Sequence, residues 1–114
     1  MRMRITKLLD ILEGKEATIV IRALKRSRIR RDVLIYLLGI YPEGSYLAEI
    51  AKKIDATPSN VIGAIRGTKG RYDKALSLFS LGLVDYNEVE GYNYYRLTDK
   101  GKEVARVLKN LEEF

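Results

Sequence analysis

The chain has 114 residues, 46% hydrophobic and 32% charged, which suits one globular domain and excludes a disordered or fibrous protein. Cysteine and histidine are both absent, which removes disulfides, thiolate chemistry, histidine acid–base catalysis and ordinary zinc sites. The formal charge is +6 and uneven: residues 1–31 hold ten Lys and Arg against three acids, residues 32–83 six against five, and residues 84–114 five against seven.

The N-terminal stretch MRMRITKLLDILEGK carries charges through its apolar part and has no small-residue cleavage pattern, which argues against a secretory signal. No apolar run approaches the ~20 residues that cross a bilayer, so a cytoplasmic location without membrane contact is expected. The lack of Cys beside many Lys, Arg, Glu and Ile also suits a heat-adapted protein. Ile5, Leu8, Leu9, Ile11 and Leu12 follow helical spacing, and Gly14 can stop that helix. Residues 17–24 (ATIVIRAL) fit either state: Ala17, Val20, Ile21 and Leu24 make a helical face, while Thr18–Ile21 would suit a buried strand. The helix is favoured. The segment Lys25-Arg26-Ser27-Arg28-Ile29-Arg30-Arg31 concentrates the positive charge, which points to an anionic partner or to a solvated basic helix start.

Ser27 can cap the next helix, which runs through Val33, Leu34, Leu37, Leu38 and Ile40 until Tyr41-Pro42-Glu43-Gly44 ends it. A short helix follows over Leu47–Ile54, with Leu47, Ile50, Ala51 and Ile54 on one face, and Asp55-Ala56-Thr57 is a turn. Thr57 caps another helix whose first residue is Pro58, where a missing N–H costs nothing. It extends to about Arg66, and Gly67 and Gly70 close it. A further helix is predicted over roughly Tyr72–Leu81, ended by Gly82. Leu83–Val89 and Tyr92–Leu97 form a hairpin turned at Glu90-Gly91, and Thr98 caps a last helix striped with Val104, Val107, Leu108 and Leu111. The architecture is mainly α with one β-hairpin.

The informative pair is Leu47–Ile54 and Pro58–Arg66. At ~100° per residue, Pro58, Val61, Ile62 and Ile65 gather on one side of the second helix. Ser59, Asn60, Gly63, Ala64 and Gly67 lie opposite, with Arg66 at the flank. That outer face is small, polar and free of acids, as a helix needs if it is to enter a groove ~12 Å wide. Ser59 and Asn60 stand at the N-terminal end, where reading helices meet base edges. The alternative is a plain amphipathic helix. After it, Arg66-Gly67-Thr68-Lys69-Gly70-Arg71-Tyr72 places three cations, a threonine and a tyrosine on a glycine-jointed loop suited to phosphate oxygens. It lacks the spacing of a nucleotide-binding loop and follows no strand.

The stretch Ile29–Leu108 resembles winged-helix transcriptional regulators, and more closely an uncharacterised archaeal family of dimeric DNA-binding regulators. The resemblance rests on YLAEIAKKIDATPSNVIGAIRG (46–67), ALSLFSLGLVD (75–85) and YYRLTDKGKEV (94–104), with Leu81-Gly82-Leu83-Val84 and Tyr95–Gly101 as the most specific phrases. It implies a winged helix-turn-helix with extra N- and C-terminal helices, as a single domain over 1–114. Residues 1–25 would be an N-terminal extension, 27–97 the winged-helix core and 98–114 the C-terminal helix. It implies Thr57, Ser59, Asn60, Gly63 and Arg66 as the base-facing set. The glycine-broken link at Gly67–Gly70 departs from relatives that run one continuous helix. The wing tip would reach DNA in such a fold, yet it carries Glu88 and Glu90 and no Lys or Arg, so a weak contact or a wing held away from the duplex is expected.

Leu8, Leu9 and Leu12 at one end, and Val104, Val107, Leu108 and Leu111 at the other, are apolar stripes outside the three-helix centre and suggest a homodimer interface; the alternative is that both pack on their own subunit. A two-fold dimer would set two reading helices about one DNA turn apart, ~34 Å. The expectation is a non-enzymatic homodimer that binds double-stranded DNA without a cofactor. Ser59, Asn60 and Arg66 would face bases, while Lys69, Arg71, Tyr72 and Arg26–Arg31 would hold phosphates. A protein–protein adaptor without DNA reading is the second reading, and RNA stacking on Tyr92, Tyr94 and Tyr95 a third. No effector pocket can be placed from the sequence.

Overall fold

The computed structural model describes residues 5–68 and 73–111. A 3-10 turn at Ile5–Lys7 leads into the short helix α1 (Leu8–Ile11), which Leu12 breaks by adopting extended backbone at φ −129° and ψ 148°. Gly14 therefore opens the next helix and does not stop the first. That helix, α2 (Gly14–Lys25), decides the ambiguous segment: Ala17, Val20, Ala23 and Leu24 are buried on its inner side.

Three capped helices follow the sequence closely. The Ser27 hydroxyl accepts from the Arg30 N–H at 3.1 Å and starts α3 (Arg28–Ile40). The Thr57 hydroxyl accepts from the Asn60 N–H at 3.1 Å and starts α5 (Pro58–Arg66), after the short α4 (Leu47–Lys53). The Thr98 hydroxyl accepts from the Gly101 N–H at 2.9 Å and starts α6 (Asp99–Lys109). Each bond satisfies an amide that the helix itself leaves without a partner.

The helix predicted over Tyr72–Leu81 is absent among the described residues. A 3-10 turn, Lys74–Leu76, stands there instead, followed by turns. The reason lies in where the amides go. Leu78 donates to the Ala64 carbonyl at 3.0 Å and Phe79 to the Ile65 carbonyl at 2.8 Å. These amides finish the last turn of α5 and are lost to a helix of their own.

Strands β2 (Val84–Val89) and β3 (Tyr92–Leu97) form the hairpin, with Val84 opposite Leu97 and Val89 opposite Tyr92. Its two turn residues, Glu90 and Gly91, have φ of 51° and 85°, the left-handed pair that suits a two-residue hairpin turn. Strand β1 (Ser45–Tyr46), too short for any alternation to reveal, pairs antiparallel with β3 through Tyr95 and Tyr94, so the sheet order is β1-β3-β2. The core joins Leu24, Leu34, Leu37, Ile50, Val61, Ile65, Leu78, Leu83, Tyr95 and Val104, all at most 1% exposed. No helix of the described residues is long and apolar enough to cross a membrane.

Candidate nucleic-acid interface

Helix α5 is held from two sides, by α3 and by α4. That double contact sets which residues face inward. Val61, Ala64 and Ile65 are fully buried, and Gly63 is buried as well. The outward residues are Pro58, Ser59 and Arg66, with Asn60 and Ile62 half-exposed. The wheel drawn from sequence is thus corrected at three positions: Ala64 turns inward, and Pro58 and Ile62 turn outward. Gly63 is buried although it falls between Ser59 and Asn60 around the helix, so it offers a base little surface. Thr57 is exposed, but its hydroxyl is committed to the cap.

The spacing of Ser59, Ile62 and Arg66 puts them along one outward face. Arg66 is held by the sheet: its guanidinium carbon lies 4.8 Å from the Tyr86 ring centroid. Tyr86 in turn stands 5.1 Å from Phe79, which is 45% exposed. Together with Ile62 and Lys74 these groups line a shallow hollow of about 420 Å³ beside the end of α5. The surface is aromatic and cationic, and no acid lines it among the described residues. Sequence reading missed Tyr86 and Phe79. For Tyr86 the signal was present, since it shares the face of β2 with buried Val84.

The basic segment has a double role. Arg30, only 4% exposed, donates to the Ala23 carbonyl at 3.1 Å, and Arg31 donates to the Leu24 carbonyl at 2.6 Å. Both guanidinium groups sit on the C-terminal carbonyls of α2, where the helix dipole favours positive charge. Arg28 pairs with Asp32. The expectation that all of Arg26–Arg31 presents charge to a polyanion is therefore corrected: Arg30 and Arg31 hold the α2–α3 elbow together. Arg26 and Arg28 remain exposed and share a hollow of about 510 Å³ with Asp73 and Leu76, which brings the elbow beside the chain leaving α5. Lys69, Arg71 and Tyr72 lie outside the described residues.

Of the two terminal stripes, Leu8, Leu12, Val104, Val107 and Leu108 are buried in the subunit's own core, because α1 packs against α6. Leu9 is 53% exposed and Leu111 half-buried. At the wing, Asn87, Glu88 and Glu90 are exposed, and the described tip carries no cation.

Residues 20–108 match the family described as EarA-like. An uncharacterised protein of Methanocaldococcus jannaschii is 44% identical over 91 residues, covering 80% of this chain and 82% of its own. Among solved structures, a homodimeric winged helix-turn-helix DNA-binding domain from Mycobacterium bovis, described as a possible ArsR-family transcriptional regulator, aligns with a TM-score of 0.56. The alignment covers 83% of this chain and 73% of that one at 22% identity, a likeness of fold: this chain is a winged helix-turn-helix.

Proposed function

Because the chain belongs to the EarA-like family, and because its fold is a winged helix-turn-helix, we propose that it binds duplex DNA as a transcriptional regulator, with α5 in the major groove. The observation that carries this reading is the outward face of α5, where Ser59, Ile62 and Arg66 stand exposed or half-exposed with no acid among them. A groove-filling helix needs that lean surface; a helix that only covers a core normally shows long charged side chains to water. Ser59 and Asn60 face base edges near the start of the helix, and Arg66, braced on Tyr86, suits a guanine edge. Arg26, Lys69, Arg71, Tyr72 and Lys74 supply backbone contacts that fix position and strengthen binding without selecting sequence. No catalytic role or cofactor enters this reading, and the protein acts in the cytoplasm.

The protein acts as a homodimer in this proposal, as the Mycobacterium bovis domain does. The exposed Leu9 and half-buried Leu111 are the members of the terminal stripes left to meet a second copy. Leu8, Leu12, Val104, Val107 and Leu108 form the layer behind them. Sedimentation equilibrium of Leu9→Glu tests the interface: a shift towards monomer supports it, and an unchanged dimer removes it.

Selection of bound fragments from sheared genomic DNA tests the main proposal. Enrichment of a short shared sequence supports it; uniform recovery at low salt, or none, argues for the adaptor reading that the acidic wing favours.

A further inference from the structure

A second concavity lies between the wing tip and the starts of α4 and α5. Tyr46, Ala48, Pro58, Glu90, Tyr92 and Asn93 line it, and its volume is about 710 Å³. That size falls within the ~300–1,000 Å³ usual for small-molecule sites. Tyr92 is 70% exposed and Tyr46 40%, so a large aromatic area faces water at this one place. The rings meet edge to face: Tyr46 and Tyr92 have centroids 6.3 Å apart at 81°, and Tyr46 and Tyr94 5.4 Å apart at 66°. Tyr94 is pinned, accepting from the Gly44 N–H at 2.8 Å and donating to Glu43 at 3.3 Å.

The charge around this concavity is one-sided. Among the described residues Glu90 is the charged one in its lining, and residues 84–97 carry Asp85, Glu88 and Glu90 against Arg96 alone. Aromatic ring faces are electronegative, and a carboxylate adds to that field. Phosphate is repelled by such a wall, and an uncharged apolar ligand gains nothing from it. We infer that this groove is a binding site for a small organic cation, an alkylammonium or guanidinium compound held against the Tyr46 and Tyr92 rings and beside the Glu90 carboxylate. The inference stands apart from DNA binding and is tested on the free protein.

The test is a two-dimensional NMR titration of the full chain with choline and with 3,3-dimethylbutanol, its uncharged counterpart of the same shape. Choline should shift the amides of Tyr46, Gly91, Tyr92 and Asn93 saturably, and the uncharged compound should bind about three- to thirtyfold more weakly. Tyr92→Leu and Glu90→Gln, both at exposed positions, should each weaken choline while the rest of the spectrum stays unchanged. Equal binding of the two compounds, shifts that never saturate, or shifts that neither variant alters would overturn the site. So would binding of a short arginine-containing peptide where neither choline nor free agmatine binds, which would reassign the groove to a protein partner.

Discussion

Gly101→Ala sets two opposing effects against each other at the base of the wing. Gly101 is buried in the first turn of α6, and a Cβ there would stand 1.9 Å from the Leu83 carbonyl oxygen and 2.8 Å from its carbon. Those atoms are backbone and are themselves fixed, because the same carbonyl accepts from the Thr98 N–H at 3.1 Å. The Thr98 hydroxyl also donates to the Gly82 carbonyl at 2.6 Å, so helix start and strand start are tied twice. Helix propensity alone would make Ala better than Gly by about 1 kcal/mol. Overpacking against unyielding backbone costs about 1–3 kcal/mol, at the upper end for an overlap this deep. The net expectation is a loss of about 2 kcal/mol, or on the order of 8 °C in melting temperature for a domain of this size. Thermal and urea unfolding followed by far-ultraviolet circular dichroism measure it. A variant more stable than the parent would refute the argument, since propensity would then have outweighed a contact that the fold cannot relieve.

Three further outcomes follow from the same contacts. Thr57→Ala removes the hydroxyl that accepts from Asn60 N–H and should cost about 1 kcal/mol in urea unfolding, while Thr57→Ser restores most of it. Tyr86→Leu takes away the ring beneath Arg66; DNA affinity should fall several-fold with the slope of affinity against salt unchanged, because no phosphate contact is lost. The hydrogen bond from the Tyr41 hydroxyl to Asp99, at 2.9 Å, raises the Tyr41 pKa above 10.0. The folded state therefore prefers the protonated phenol, and this contribution is intact below the unfolded pKa and lost as pH climbs through the raised folded value. Urea midpoints between about pH 9 and 11 should fall more steeply for the parent than for Tyr41→Phe.

Most of the fold was legible because local chemistry and tertiary context agree. Ser27, Thr57 and Thr98 each cap the helix that their position announces, and Glu90-Gly91 turns the hairpin where two left-handed residues are needed. The failures share a cause: a partner distant in sequence. Residues 74–81 have apolar spacing suited to a helix, yet the Leu78 and Phe79 amides are claimed by Ala64 and Ile65. Ser45 and Tyr46 become a strand only because β3 passes beside them. At the candidate site, Ser59 and Arg66 stand outward as expected, because polarity and wheel position coincide. Pro58, Ile62 and Ala64 were misplaced because packing against both α3 and α4 turns the inner arc onto Val61, Ala64 and Ile65. Arg30 and Arg31 look like a polyanion's ligands in sequence, and only the geometry of the elbow assigns them to the end of α2.

The central claim is that the outward face of α5 meets DNA, and a carboxylate placed there tests it most directly. Ile62 is half-exposed and packs its remaining surface on the core, so Ile62→Glu is compared with the parent once circular dichroism shows the same fold. Fluorescence anisotropy with a duplex recovered from the fragment selection, over a series of salt concentrations, compares the two. The parent should bind with an affinity that falls linearly with salt on logarithmic axes, and Ile62→Glu should bind at least a hundredfold more weakly at every point (~2.7 kcal/mol or more). Equal affinity of parent and variant, with both correctly folded, would contradict the placement of α5 in the groove.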